Sequence, residues 1–351
     1  MRKIFQVQPS ETQQSSSARY QKKICKWHSC GFALSYETCP DKVFLYDTQG
    51  NLEDEIQLDD GNVSISSISS ASATYEVIDL EWNYNGNLIA IFRRRGESNF
   101  LTVYDKRKKN VHTVSIQSRQ TACLLLWSPA DQPPKIEKSV CTFDILAIGM
   151  SKGGLLLYDT RTNEISTIAG KHSDRITCGT WKSREKLFLC GNDCALSISN
   201  ANGDTLQRIT LDYPPIGIVW SRWYNNKSIA FVRSASYSIH CFESGSNGFY
   251  TNLPISCNNH LDEHGYIVGI QFIRSIEVCV IAYQNGDVWL YSLKSQSYTC
   301  SQLMFEKKCS LMSMDNTSDL IAFLGMCQWL KTNQHFSLTV ICLLSITTRK
   351  R

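Results

Sequence analysis

The residues of this chain that could do chemistry fall into short clusters, and the neighbours of each cluster decide what it can do. Gly149-Met150-Ser151-Lys152-Gly153 matches G-x-S-x-G, the spacing that exposes a nucleophilic serine where a strand turns sharply into a helix. Leu155-Leu156-Leu157-Tyr158 follows at once and reads as another strand, so Ser151 is expected in a hairpin turn with no catalytic role. Cys25, His28 and Cys30 are metal-ligand types at close spacing, as are Cys190 and Cys194. Structural zinc usually takes two close-spaced ligand pairs, and neither group has a convincing second pair. No metal or other cofactor is therefore expected. Arg93-Arg94-Arg95 and Lys106-Arg107-Lys108-Lys109 could meet an anion. In an up-and-down sheet the arginines lie between the second and third strands and the lysines after the third, so the two groups should emerge on opposite faces. That division weakens any single phosphate-binding surface, and solvated turns are the default reading. The arginines stay as a candidate anionic contact. No Gly-rich phosphate loop or paired-carboxylate constellation is present, which predicts a chain that is not an enzyme.

The elements that would carry these clusters are short strands. Gly170 and His172 stand before an apolar strand that begins at Ile176 and ends at Trp181, a turn follows at Gly191-Asn192-Asp193, and a further strand runs from Leu196 to Asn200. A Gly-His opening and a Trp-Asp-like close in a unit of roughly 40 to 50 residues is the WD40 blade pattern. Gly170, His172, Trp181 and Asp193 are its structural motif here, with His172 and Trp181 expected to be buried. The layout recurs. A bulky residue followed by a turn residue closes a strand at Tyr46-Asp47, Tyr104-Asp105, Tyr158-Asp159, Ser199-Asn200, Phe242-Glu243 and Tyr291-Ser292. First strands fall near Lys26, Ile78, Cys123, Ile176, Ile218, Ile267 and Cys309.

Short β-rich runs at even spacing, with no sustained helical period, predict an all-β chain. The expected architecture is a WD40-like β-propeller of seven blades formed by residues 1–351 as one domain, with six blades and an unfolded tail as the alternative. The last blade, 309–351, is irregular: Leu320 to Met326 and Phe336 to Leu344 supply its middle strands, and the N-terminal segment Arg2 to Val7 is expected to close it. Closure of that kind leaves only short, protected edges. The serine-rich stretch Asn62 to Thr74, NVSISSISSASAT, sits between the first two blades and reads as a loop insertion.

Composition is consistent with this. Hydrophobic residues make up 42% and charged residues 19% of the 351, which suits a chain of buried strands. A net charge of +4 gives no argument for nucleic acid as a partner. The fifteen cysteines would suggest disulfides in a secreted chain. The opening MRKIFQVQPSETQQ has no apolar core of signal-peptide length, so the cysteines are expected to be reduced core residues of an intracellular protein. Phe336 to Thr347 is the most apolar run but falls short of the roughly 20 residues of a spanning helix. No transmembrane segment is expected.

One family shares the less usual details. GKHSDRITCGTW at 170–181 and the later turn ending in Gly203-Asp204-Thr205 resemble the N-terminal propeller of the WD-repeat protein nineteen family, the WD-repeat subunit of intraflagellar transport complex A. Met1-Arg2-Lys3-Ile4-Phe5, Leu125-Leu126-Trp127-Ser128 and Lys152-Gly153-Gly154-Leu155-Leu156-Leu157-Tyr158 are similar to it as well. The likeness is strong from Leu125 to Ile209 and fades after Leu303. It implies a non-enzymatic scaffold acting in retrograde ciliary transport and cilium assembly. The partners it implies are other complex A subunits and ciliary cargo, and the implied location is the cilium and ciliary base, in cytoskeleton-associated cytoplasm. That family continues into a second propeller and helical repeats, so this sequence is expected to be a short form or an incomplete one. A propeller scaffold of another assembly, such as a vesicle coat, shares the architecture and is the alternative.

Overall fold

The computed structural model describes residues 2–3, 23–28, 30–36, 39–58, 75–129 and 144–222. Beyond these it describes 228–234, 239–244, 250–253, 267–273, 278–283, 287–292, 297–302, 309–314, 320–329 and 336–345. The serine-rich stretch 62–74 lies outside the described residues. Among the described residues every regular element is a strand, from β1 (Arg2–Lys3) onward, and the strands form four-stranded antiparallel sheets. The chain divides into two compact units, one of Gln21–Pro215 and one of Met1–Tyr20 with Ile216–Arg351.

The first unit holds four sheets, each a meander of consecutive strands. They are β2 (Lys23–His28), β3 (Gly31–Tyr36), β4 (Cys39–Tyr46) and β5 (Leu52–Gln57); β6 (Glu76–Trp82), β7 (Leu88–Arg95), β8 (Ser98–Asp105) and β9 (Asn110–Ile116); β10 (Ala122–Trp127), β11 (Ile145–Met150), β12 (Leu155–Asp159) and β13 (Glu164–Ile168); and β14 (Ile176–Ser183), β15 (Lys186–Gly191), β16 (Ala195–Ser199) and β17 (Thr205–Thr210). The first strands β2, β6, β10 and β14 lie beside one another in that order.

Side chains alternate across a strand, and here both faces of the middle strands are covered. In β7, Ile89 and Ile91 join a cluster with Val43, Leu45 and Leu80, whereas Ala90 and Phe92 join Leu125, Leu146 and Ile148 of the next sheet. The third sheet repeats the division, with Leu156 and Tyr158 of β12 on one side and Leu155 and Leu157 packing with Trp181 and Leu187 on the other. Burial on both faces is why runs such as Leu88 to Phe92 are apolar at every position. Each fully buried Leu, Ile or Phe contributes about 1.5–3 kcal/mol. The fourth strands are different: β5, β9, β13 and β17 are mostly exposed or half-buried, with one buried position each in β5 and β9 and none in β13 and β17, as expected at the outer edge of each sheet.

The second unit contains three sheets among the described residues. The first two are β18 (Pro215–Arg222), β19 (Ser228–Ser234), β20 (Ile239–Ser244) and β21 (Tyr250–Leu253), and β22 (Ile267–Ile273), β23 (Val278–Tyr283), β24 (Asp287–Ser292) and β25 (Ser297–Gln302). The third joins β26 (Cys309–Met314), β27 (Leu320–Trp329), β28 (Phe336–Ser345) and β1, with Arg2 opposite Ser345 and Lys3 opposite Leu344. The N-terminal strand thus pairs where the sequence places it, over Arg2–Lys3; residues 4–7 lie outside the described residues. The seven expected first strands coincide with β2, β6, β10, β14, β18, β22 and β26. Some boundaries differ by one to three residues: β16 begins and ends one residue earlier than expected, β27 and β28 run on to Trp329 and Ser345, and β14 runs two residues past Trp181, where the chain bulges between Trp181 and Ser183 and still pairs Ser183 with Lys186.

Candidate functional site

The Gly170–Asp193 region is built around one imidazole. His172 lies in the loop before β14, Asp193 in the turn between β15 and β16, and Ser197 within β16. His172 Nδ1 lies 2.9 Å from Asp193 Oδ1, and His172 Nε2 lies 2.9 Å from Ser197 Oγ. Proton positions follow from charge. Burial pushes Asp193 up, but the Ser173 backbone N–H, His172 and Arg208 outweigh it and bring the carboxyl down to about 2. An ionised carboxylate only accepts, so Nδ1–H donates to it. Burial lowers the basicity of His172 more than Asp193 raises it, so the ring is neutral at pH 7 and Nε2 accepts from the Ser197 hydroxyl.

Asp193 also accepts from the Ser173 N–H at 3.0 Å and from Arg208 at 2.6 Å. The backbone turn at Gly191 must stay bare, because a Cβ there would stand 2.4 Å from Asp193 Oδ1 and 2.5 Å from His172 Nδ1. Lys171, beside the histidine, donates to the Gly203 carbonyl and, at 2.8 Å, to Thr205 Oγ1. Burial lowers its pKa to about 8 against the pull of Asp204. Gly170, with φ +65, has open space around its Cα. This network ties the loop before the first strand to the second, third and fourth strands of the same sheet, and its polar groups are occupied with one another.

Trp181 stands outside that network and joins sheets together. Its indole N–H donates to the Leu126 carbonyl of the preceding sheet at 3.0 Å. Trp127 donates to Glu81 at 3.0 Å, and Trp82 donates to Lys26 at 3.1 Å. Each acceptor is the residue just before the tryptophan of the previous first strand, Trp127, Trp82 or Trp27. The three bonds make a ladder across the four first strands of the first unit. The blade motif marks Trp181 but not its equivalents Trp127 and Trp82, and it marks neither Ser197 nor Arg208. The signal for the ladder was present as a tryptophan near the end of successive first strands.

The basic residues separate as their turns do. Arg93 is fully buried, with its guanidinium 4.6 Å from the Tyr75 ring centre and 5.6 Å from that of Phe100, and it donates to the Leu58 carbonyl. Full burial between the two rings leaves Arg93 no solvent-facing side for an anion, which corrects its reading as an anionic contact. Arg94 donates to the Gly96 carbonyl and to Thr121 Oγ1, and Arg95 to the Tyr75 hydroxyl. Both are half-buried. Lys106 pairs with Glu53 at 2.7 Å and Lys109 with Asp54 at 3.6 Å, joining the turn after β8 to β5.

The remaining clusters resolve into turns and core. Ser151 sits in the hairpin between β11 and β12, where its Oγ accepts the Thr121 N–H at 3.2 Å; a strand follows it. Cys190 is fully buried, opposite Cys178 across β14 and β15, and burial holds its thiol well above the usual range. Burial likewise pushes Cys25 up to about 12. Cys25 and His28 point to opposite faces of β2. Among the described residues no three His, Cys, Asp or Glu side chains gather as a metal site, and no helix is long and apolar enough to cross a membrane.

Comparison with known proteins places this architecture. The family model of the WDR19 first β-propeller matches residues 23–241, more than half of the chain. The chain belongs to that family. Within the WDR19 first β-propeller family, the mouse WD repeat-containing protein 19 is 28% identical over 153 residues, 44% of this chain and 10% of the mouse protein. The Caenorhabditis elegans WD repeat-containing protein dyf-2 is 24% identical over 197 residues, 55% of this chain and 12% of its own length. The chain therefore matches about a tenth of the length of these relatives. Among solved structures, the β-propeller domain of Myceliophteria thermophila Cps50 (Swd1) superposes with TM-score 0.64 at 10% identity, covering 92% of this chain and 96% of that domain. A chain of the mitotic checkpoint complex gives TM-score 0.63 at 12% identity, over 93% of this chain and 89% of that one. At such identities the likeness is one of fold, and the fold of this WDR19-type chain is the WD40 β-propeller.

Proposed function

We propose that the chain is a non-enzymatic protein-interaction scaffold, the propeller part of an intraflagellar transport complex A subunit acting in retrograde ciliary transport and cilium assembly. The observation that carries this is membership of the WDR19 first β-propeller family over residues 23–241. On this reading residues 1–351 form a single seven-bladed propeller whose last blade is completed by β1. Its partners are other complex A subunits and ciliary cargo, and it resides at the cilium and its base. The absence of catalysis is supported by the polar network around His172, whose members are fixed to one another, and by the strand that follows Ser151, where a hydrolase requires a helix. The charge pattern also supports a protein partner over nucleic acid, because Lys106 and Lys109 are matched to Glu53 and Asp54. Fluorescently tagged chain in ciliated cells tests the reading: it should concentrate at the ciliary base and along the axoneme, and uniform cytoplasmic signal would contradict it.

A further inference from the structure

His28 and Cys30 face one another where β2 turns into β3. His28 Nδ1 lies 3.1 Å from Cys30 Sγ, and His28 Nε2 lies 3.0 Å from the Tyr84 carbonyl of the next sheet. A carbonyl only accepts, so Nε2 carries the proton and Nδ1 of the neutral ring is the acceptor facing the sulfur. The Cys30 backbone N–H, 3.3 Å from the same nitrogen, agrees with that tautomer. The ring is held from several sides. Trp82 lies against it with centroids 5.8 Å apart, and a Cβ on Gly86 would stand 2.3 Å from the imidazole, so the bare backbone there admits it. The histidine is buried and the sulfur half-exposed, and the Gly86 carbonyl, a second and more distant acceptor for the thiol proton, lies 3.5 Å from the sulfur.

A thiol within hydrogen-bond reach of a base, with the base oriented by a third group, is the arrangement that activates cysteine nucleophiles. We propose that Cys30 is an activated thiol and the chain's site of modification by small peroxides. The Cys30 S–H proton passes to His28 Nδ1, and the imidazolium keeps its Nε2–H bond to Tyr84. The thiolate attacks one peroxide oxygen: an S–O bond forms and the O–O bond breaks. Hydroxide leaves and takes the proton from His28 as water. Sulfur is oxidised to sulfenic acid and the peroxide is reduced, a state that cellular thiols can reverse.

The test compares each thiol with itself in the folded and the guanidinium-unfolded chain, by mass spectrometry after brief iodoacetamide labelling at about pH 7. A thiol with a merely structural role is protected by folding and labels faster once unfolded. A free thiol at this pH is only a few per cent thiolate, so pairing with His28 should make folded Cys30 react at least about fivefold faster than the unfolded residue, while Cys39 and Cys123 slow down on folding. Hydrogen peroxide followed by dimedone trapping should mark Cys30 before either of these. His28→Gln, checked for its β-sheet circular dichroism, should remove the acceleration. Folded Cys30 reacting more slowly than unfolded Cys30, or trapping no faster than Cys39, overturns the proposal without reference to any variant.

Discussion

Trp181→Phe isolates one rung of the ladder that joins neighbouring sheets. The substitution keeps an aromatic ring in a site that is 5% exposed and removes the N–H that reaches Leu126 at 3.0 Å. The Leu126 carbonyl then loses a donor in a place water reaches poorly, which costs about 1–3 kcal/mol. The missing part of the indole adds a cavity term, and the sum stays below the about 3–5 kcal/mol expected for Trp181→Ala. Urea unfolding followed by circular dichroism should show a lower midpoint with an unchanged slope, the sign of lost stability rather than altered compactness. Trp127→Phe and Trp82→Phe make the same change at 3.0 and 3.1 Å and should cost the same to within about 1 kcal/mol. A Trp181→Phe chain within about 0.5 kcal/mol of the parent, beside a much weaker Trp181→Ala, would show that the indole contributes packing alone and that the ladder holds nothing together.

Three further outcomes follow from the His172 network and the serine turn. His172→Ala leaves one oxygen of Asp193 without its donor and the Ser197 hydroxyl with only the Leu189 carbonyl at 3.4 Å, and thermal or urea melts should register a loss of about 1–3 kcal/mol; melts matching the parent would refute the assignment. Because burial depresses the pKa of His172, the unfolded chain binds this proton more readily, so its contribution is present above the ordinary histidine value and falls as pH drops from about 7 to about 5. Asp193, held near 2, should add a second loss below about pH 4. The difference in stability between parent and His172→Gln should therefore shrink on acidification, and a flat or growing difference would contradict a buried, neutral His172 ring. Ser151→Ala should leave partner binding intact and abolish no esterase activity; loss of such an activity would favour a hydrolase.

Much of the fold was legible because its determinants are local. The Tyr-Asp pairs at 46, 104 and 158 close third strands, and the doubly buried strands announce themselves as unbroken apolar runs. His172 and Asp193 could be named because both sit in turns with a recognisable spacing. What bound them was less visible: Ser197 looks like any strand serine, and Arg208 like any outer-edge arginine, until the sheet stacks them beside Asp193. The same holds for Arg93. In the sequence it is one of three adjacent arginines, yet the alternation of β7 turns it away from Arg94 and inward between Tyr75 and Phe100, while Arg95, on the same face but nearer the turn, stacks on Tyr75 only half-buried. The ladder pairs lie 46 to 56 residues apart, and only the packing of one sheet against the next brings each indole to its carbonyl.

The role proposed for this propeller is that of a scaffold within the ciliary transport machinery. Affinity purification of the tagged chain from ciliated cells, read by mass spectrometry, addresses it most directly. The account predicts recovery of complex A subunits or ciliary cargo above background. Recovery of vesicle-coat or nuclear partners alone would contradict it.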